Sequence, residues 1–374
     1  MLQVEPASAI RVSKLHPPRL TSQHVTRPRL TERLRQHPDR PLILVCAPAG
    51  SGKTTILREW LSNSRTPTGW ISLDERDNDP FVFVRYVIAA VQAAVPNAKF
   101  ETRDLLRASA RPPIDALVIS LSNDLDLLPT DVALVLDDYH LIASPEIDEL
   151  IVQLLRHPPR RFQLVIATRT EPAWSLATLR TRGQVLELRY RDLQFTREEA
   201  ESFLRNALGA DFAEVPVEDL YRDSEGWAAG LQLIAAASNL SGGLQQVLSD
   251  ANHDADISDS LFGEIFEDLP DQVQICLLRL SILEPFSASL CEAVCDREPN
   301  VEEPESWGKA LLSELAERNL FVSALGPRGE FFRFHHLFRR FLFERLRERS
   351  EPEEIATLQL RASAWYATQG LIEE

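Results

Sequence analysis

The chain has 374 residues, more than one ordinary core holds, and points to about two to four domains. Its 44% hydrophobic and 26% charged content excludes a disordered chain, and its longest apolar runs fall far short of a membrane span. A net charge of −16 argues against a main nucleic-acid surface.

The first ten residues, Met1 to Ile10, lack the basic start and apolar core of a signal peptide. Residues 1–40 hold eight Lys/Arg against three Asp/Glu, so the remainder is more acidic than the whole. Such a segment reads as a solvated arm or as an arm that wraps an anionic ligand such as a nucleotide, and the sequence leans to the first.

The apolar run Leu42–Cys46 predicts a strand, and Ile56–Leu61 reads as a helix. Between them stands Ala47-Pro48-Ala49-Gly50-Ser51-Gly52-Lys53-Thr54-Thr55. Strand, Gly-rich turn, Lys-Thr and helix are the context of a phosphate-binding loop. Successive N–H groups of such a turn cradle phosphate oxygens, and the helix N-terminus adds partial positive charge. Ala49, Gly50, Ser51, Gly52, Lys53, Thr54 and Thr55 are therefore candidate phosphate-binding residues. Lys53 would reach the β- and γ-phosphates of ATP, or the β-phosphate of ADP, and the Thr54 hydroxyl would hold Mg²⁺. The pattern usually begins with Gly, and here that position is Ala47.

Further strands are predicted at Gly69–Leu73, Val132–Leu136, Leu164–Thr168 and Val185–Leu188, with helical spacing at Phe81–Val95 and Ile114–Leu128. Short apolar strands separated by helices imply an α/β fold, a parallel sheet covered on both faces. The strand at Val132–Leu136 runs into Asp137-Asp138. A carboxylate at the carboxyl end of a strand near a phosphate loop is where Mg²⁺ is held. Asp137 is the natural metal partner, and Asp138 could orient or deprotonate an attacking water. Arg169, at the end of the next strand, reads equally as a γ-phosphate sensor or as an exposed strand-end arginine.

The alternation stops near Phe195. Thr196-Arg197-Glu198-Glu199 is a capping box, and helical patterns follow to about residue 320, including Leu261–Leu283, interrupted at Pro270, and Trp307–Phe321. A turn at Leu325–Glu330 between the β-prone pieces Leu320–Ala324 and Phe331–Phe334 suggests a winged helix. Helices from about His335 to Arg349 and from about Glu353 complete the pattern. Trp227, in Gly226-Trp227-Ala228-Ala229-Gly230-Leu231, and His335, beside His336, read as structural on residue type alone. Cys291 and Cys295, one helical turn apart, read as core packing, and Cys46, Cys276, Cys291 and Cys295 together fit a reducing cytoplasm.

With these pieces in order the chain resembles the signal-transducing ATPases of the STAND class. More narrowly it resembles their MalT-type branch, large ATP-binding regulators of the LuxR family. The resemblance runs from about residue 14 to 345, through Lys14-Leu15 with His16–Arg19, Val25–Leu30, Ala47–Thr55, Leu136–Ile142, Ala167-Thr168-Arg169, Leu186–Thr196, Gly226-Trp227-Ala228 and Phe334–Phe338. It implies that Val25 and Arg29 lie near the adenine and phosphates, that Arg169 is a sensor, that Trp227 belongs to the nucleotide-side lid, and that His335 touches the β-phosphate in an ADP-bound resting form. Many STAND relatives place Pro where this chain has Ala228, so the Pro–adenine contact has no counterpart here.

The organisation it implies is an adenine-side segment (1–40), a P-loop NTPase core (41–195), a helical lid (196–255), a winged helix (256–349) and the start of a helical-repeat sensor (350–374). The implied mechanism is a switch, closed with ADP and self-associating with ATP, set by an inducer and reset by slow hydrolysis. Inducer and DNA would act through a sensor and a helix-turn-helix further along a longer protein. A STAND module with another output, such as defence signalling, and an AAA-like or origin-binding motor are the competing readings. The acidic charge and the His335 motif weigh against the motor.

Overall fold

The computed structural model describes residues 10–20, 24–108, 111–209, 212, 217–232, 235, 262–263, 266–267, 269–295, 306–317, 321–325 and 331–369. The chain divides into two units, Met1–Leu193 and Gln194–Glu374.

The first unit is built on five strands, β1 (Leu42–Cys46), β2 (Thr68–Ser72), β3 (Val132–Asp137), β4 (Phe162–Thr168) and β5 (Val185–Arg189). All are parallel, in the order β2-β3-β4-β1-β5. Every residue of β1 and β3 is buried, because helices cover both faces. Leu42, Leu44 and Cys46 enter one apolar cluster, while Ile43 and Val45 enter another with Leu57 and Trp60 of the helix Lys53–Ser62. Cys46 lies in register with Thr168 of β4 and Arg189 of β5, so three strands end together at one edge. Asp79 caps the helix Pro80–Ala94 through the N–H groups of Phe81 and Val82, at 2.8 and 3.1 Å.

The described part of the basic segment before β1 is tied onto this sheet. Lys14 pairs with Asp77 and Asp74 at 2.6 and 2.9 Å, near β2. The helix Pro28–Arg35 lies against the other edge. There Arg33 donates to the Glu187 carbonyl and pairs with Asp192, and Arg40 donates to the Val185 carbonyl. Arginine forks occupy backbone acceptors of the edge strand, a use of positive charge that composition cannot distinguish from a solvated arm.

The second unit opens with the helix Arg197–Leu208, which carries the expected reciprocal capping box between Thr196 and Glu199. The helices Val217–Ser224, Asp271–Leu280, Ala288–Cys295 and Trp307–Glu317 follow. A three-stranded antiparallel sheet pairs β6 (Phe286–Ser287), β8 (Phe331–Phe334) and β7 (Val322–Leu325) in that order. The helices His336–Arg349 and Pro352–Thr368 complete the unit. Helices with a small wing sheet make this a winged-helix arrangement. Cys276, Cys291 and Cys295 are all buried in it. The expected turn at residues 326–330, residues 236–255 of the expected lid, residue 261 and residues 370–374 lie outside the described residues. Among the described residues no helix is long and apolar enough to cross a membrane.

Gly226 anchors the start of this unit. Its φ is 72°, its carbonyl accepts from the Phe195 N–H at 2.7 Å, and a Cβ there would stand 2.6 Å from the Phe195 carbonyl oxygen. Gly226→Ala therefore combines a left-handed backbone with a clash and is expected to destabilise by about 2 kcal/mol or more. Urea unfolding measures it, and an unchanged midpoint contradicts the close approach.

Candidate functional site

The loop from Ala47 to Gly52 leaves β1 and enters the helix Lys53–Ser62. The Ala47 N–H donates to the Thr168 carbonyl at 3.2 Å, which ties the loop to β4. Gly50 and Gly52 have φ of 66° and 81°. Two left-handed residues so close together turn N–H groups toward one concave side, an anion-binding geometry. Gly52 stands at the N-cap without a side-chain cap, leaving the first helical N–H groups available to a ligand. Lys53 is buried, and its amine donates to the Ala47 and Pro48 carbonyls, both at 2.9 Å. Burial, reinforced by the Arg169 charge, lowers its pKa to about 8. The shift corresponds to about 3 kcal/mol against the charged form.

Across the loop, the Thr54 hydroxyl lies 3.1 and 3.0 Å from the two oxygens of Asp137, at the end of β3. Asp137 is 3% exposed, and burial first, then the Asp138 charge, pushes its pKa up to about 6. A carboxylate and a hydroxyl in contact are hard oxygen donors of the kind Mg²⁺ takes. Asp138 follows with φ 60°, an uncommon conformation for a residue with a side chain, and its side chain is 44% exposed. His140 Nδ1 stands 4.0 Å from Asp138 Oδ1. Burial, then the charges of Arg169 and Lys53, pushes His140 down to about 3, so it is neutral. Arg169 is half-buried after β4, and its charge acts on both Lys53 and His140. The sheet edge thus brings Lys53, Thr54, Asp137, Asp138 and Arg169 together, with His140 added. Ser51 is buried, Ala49 half-buried, and Gly50 and Thr55 exposed.

In the second unit Trp227 is fully buried. Its ring stacks on Phe262 at 5.3 Å and meets Phe321 and His335 edge-on at 5.2 and 5.4 Å. It is a core residue in this arrangement, as its residue type alone suggested. His335 precedes the helix His336–Arg349, and its Nε2–H donates to the Ser224 carbonyl at 2.9 Å.

The sequence comparisons place these features. Residues 262–355 match the family described as the MalT winged helix domain. The chain is 32% identical over 368 residues to the HTH-type transcriptional regulator MalT of Cronobacter sakazakii, covering 97% of this chain and 39% of that protein. It is 33% identical over 361 residues to the MalT of Serratia proteamaculans, covering 95% and 39%. Over nearly its whole length the chain is similar to the MalT-type regulators. It spans about 39% of the length of those two relatives. Among solved structures, a Walker-type ATPase of Pyrococcus abyssi matches with a TM-score of 0.59 at 14% identity, covering 85% of this chain and 95% of that one. That likeness shows the P-loop ATPase fold alone.

Two arginines of the segment before β1 are placed differently. Arg29 is exposed, and its guanidinium donates to the Asp192 carbonyl at 2.7 Å. Arg27 is the arginine beside the loop: it is 3% exposed, with Nη1 3.9 Å from where a Gly52 side chain would begin. The signal was Pro28, which starts the helix and leaves Arg27 at its N-cap, while Arg29 sits on the outward side of the first turn. Val25, half-buried, lies two residues before Arg27.

The His335 environment yields a pH dependence. Burial outweighs the Ser224 bond and, with the Arg333 charge, lowers its pKa from 6.5 to about 4. The unfolded chain therefore takes up the proton first. Its contribution to stability is whole above pH 6.5 and falls as pH drops toward 4. His335→Gln keeps a donor for the Ser224 carbonyl without titrating. Urea unfolding at a series of pH values is expected to show the variant losing about 2–3 kcal/mol less than wild type over that interval. Parallel acid profiles would contradict the assignment.

Proposed function

We propose that this chain is the nucleotide-operated part of a signal-responsive transcription regulator, a slow ATPase that works as a switch. The observation that carries the reading is the contact of Thr54 with Asp137 beside the buried amine of Lys53, on a chain similar to MalT regulators over nearly its whole length. The residues fit a Mg²⁺-nucleotide. Loop N–H groups and Lys53 would hold the phosphates, and Thr54 and Asp137 would hold the metal. Bound there, Mg²⁺ would supply charge neutralisation for the phosphate oxygens. Asp138, the more exposed acid, would orient or deprotonate the attacking water, and Arg169 would read the γ-phosphate.

A switch needs one nucleotide to favour one state. His335 would favour ADP through the diphosphate, Arg169 would favour ATP, and hydrolysis would reset the balance. His335 now serves the Ser224 carbonyl, so its engagement of a phosphate exchanges one hydrogen bond for a charge-assisted one. In this reading residues 1–40 are the adenine-side segment, 41–195 the ATPase core, 196–255 the lid, 256–349 the winged helix and 350–374 the beginning of a sensor. Self-association in the ATP state, inducer binding and operator binding in the cytoplasm complete the proposal, the last two through the part of the relatives that this chain does not span.

Two variants test it with equilibrium binding of ADP and ATP and with phosphate release. Lys53→Ala is expected to weaken both nucleotides about 100-fold or more. Asp138→Asn is expected to slow hydrolysis about 100-fold or more while binding stays within about twofold. Normal hydrolysis by Asp138→Asn removes it as the water-activating group, and unaltered binding by Lys53→Ala overturns the site.

A further inference from the structure

The turn after β3 brings Asp138 to the phosphate-loop side by breaking the alternation of the strand. Leu134 and Leu136 of β3 enter one apolar cluster, while Ala133 and Val135 enter the other, with Ile56, Leu57 and Trp60 of the phosphate-loop helix. Asp137 continues the second set, and its carboxylate meets Thr54 in the first turn of that helix. Consecutive side chains of a strand point to opposite faces, so an extended Asp138 would follow Leu136 to the face away from the helix. Instead its φ is 60° and its ψ 40°. Its charge acts on the Lys53 amine, as does that of Asp137. The left-handed backbone is what places two successive acids on one side.

Such a backbone is unfavourable for a residue with a Cβ and persists only where the surroundings hold it. Tyr139–Leu141 form a turn of 3-10 helix, and the Leu141 N–H donates to the Asp138 carbonyl at 3.1 Å. Tyr139 is 3% exposed and enters the cluster of Leu134 and Leu136. Its hydroxyl donates to Asp148 Oδ1 at 2.6 Å, on the helix Pro145–Arg156. Asn78, which follows β2, grips the other end of the turn. Its Nδ2 donates to the Leu141 carbonyl at 3.0 Å, and its Oδ1 accepts from the Ala143 N–H at 2.6 Å.

We propose that Tyr139, through Asp148, and Asn78 are positioning residues that hold the left-handed turn at Asp138 and so set the rate of ATP hydrolysis. The inference rests on the reading of Asp138 as the water-activating group. Tyr139 fills the apolar side that an extended Asp138 would face, and Asn78 fixes where the turn ends. With either hold released, the backbone at Asp138 relaxes toward the extended form, and its carboxylate leaves the side on which Lys53 and Thr54 stand. The groups that would hold phosphate and metal keep their places, so binding survives while hydrolysis slows. In a switch reset by hydrolysis, this turn sets how long the ATP state lasts.

Phosphate release from Mg²⁺-ATP by the full chain, with equilibrium binding of ATP and ADP, tests the positioning. Tyr139→Phe keeps the ring and loses the hydroxyl. It is expected to slow release about tenfold, the scale of one hydrogen bond to a charged group, with both nucleotides bound within about twofold of wild type. In an Asp138→Asn background the same substitution is expected to add less than about twofold, because it acts through that carboxylate. Asn78→Ala is expected to follow the same pattern, and it carries the test if Tyr139→Phe does not fold. Release at the wild-type rate by the folded variants overturns the proposal. Equal slowing in both backgrounds, or weakened nucleotide binding alongside the slower rate, marks a merely structural role and overturns it too. Normal release by Asp138→Asn alone overturns instead the reading on which the proposal rests.

Discussion

Lys53 is held at the carboxyl ends of parallel strands, 7% exposed, with the charge of Arg169 acting on it. Burying an amine in that position is unfavourable, and the surrounding residues answer to that one constraint. The Ala47 and Pro48 carbonyls accept its protons, and the carboxylates of Asp137 and Asp138 favour its charged form. Asp137 is itself desolvated and pushed upward, so burial opposes the charged form of acid and base alike. The site keeps charges at a cost that, in the proposed reading, a phosphate and a divalent cation would relieve together. Such an arrangement trades stability for binding, and the all-buried β1 and β3 supply the rigid ground on which it is held.

The second unit shows the same logic in apolar form. The ring of His335, which burial keeps neutral, meets Trp227 edge-on, and Trp227 in turn packs with Phe262 and Phe321, which Phe338 joins. The His335 Nε2–H links the start of the helix His336–Arg349 to the carbonyl of Ser224, 111 positions earlier. The helix Val217–Ser224 and the start of the helix His336–Arg349 are therefore joined through His335.

Much of the first unit was legible because its strands are continuous apolar runs ending in polar residues. Leu42–Cys46 matches its expected bounds, and β3 ends on Asp137, one residue beyond the expected Leu136. β2 begins at Thr68 rather than Gly69, a one-residue shift at a half-buried polar end that the apolar pattern does not mark. Thr54 and Asp137 were legible as a pair because each stands at a defined point of its own motif. Arg27 was not, since its neighbours, Gly52, Glu59 and Leu193, are distant in sequence and only the helix phase set by Pro28 separates it from Arg29. The basic segment was hard to read for a related reason: several of its charges find backbone carbonyls, and composition carries no record of that. In the second unit the capping box at Thr196 was read from four residues, whereas the meeting of Trp227 with His335 is a tertiary contact that residue type could only describe as core.

The central claim is that this site holds a diphosphate in the resting protein. The direct measurement is to denature freshly purified, folded protein and identify what it releases by chromatography. The account predicts ADP in near-equal amount to protein. Release of no nucleotide, from protein that also fails to take up added Mg²⁺-ADP, would contradict it.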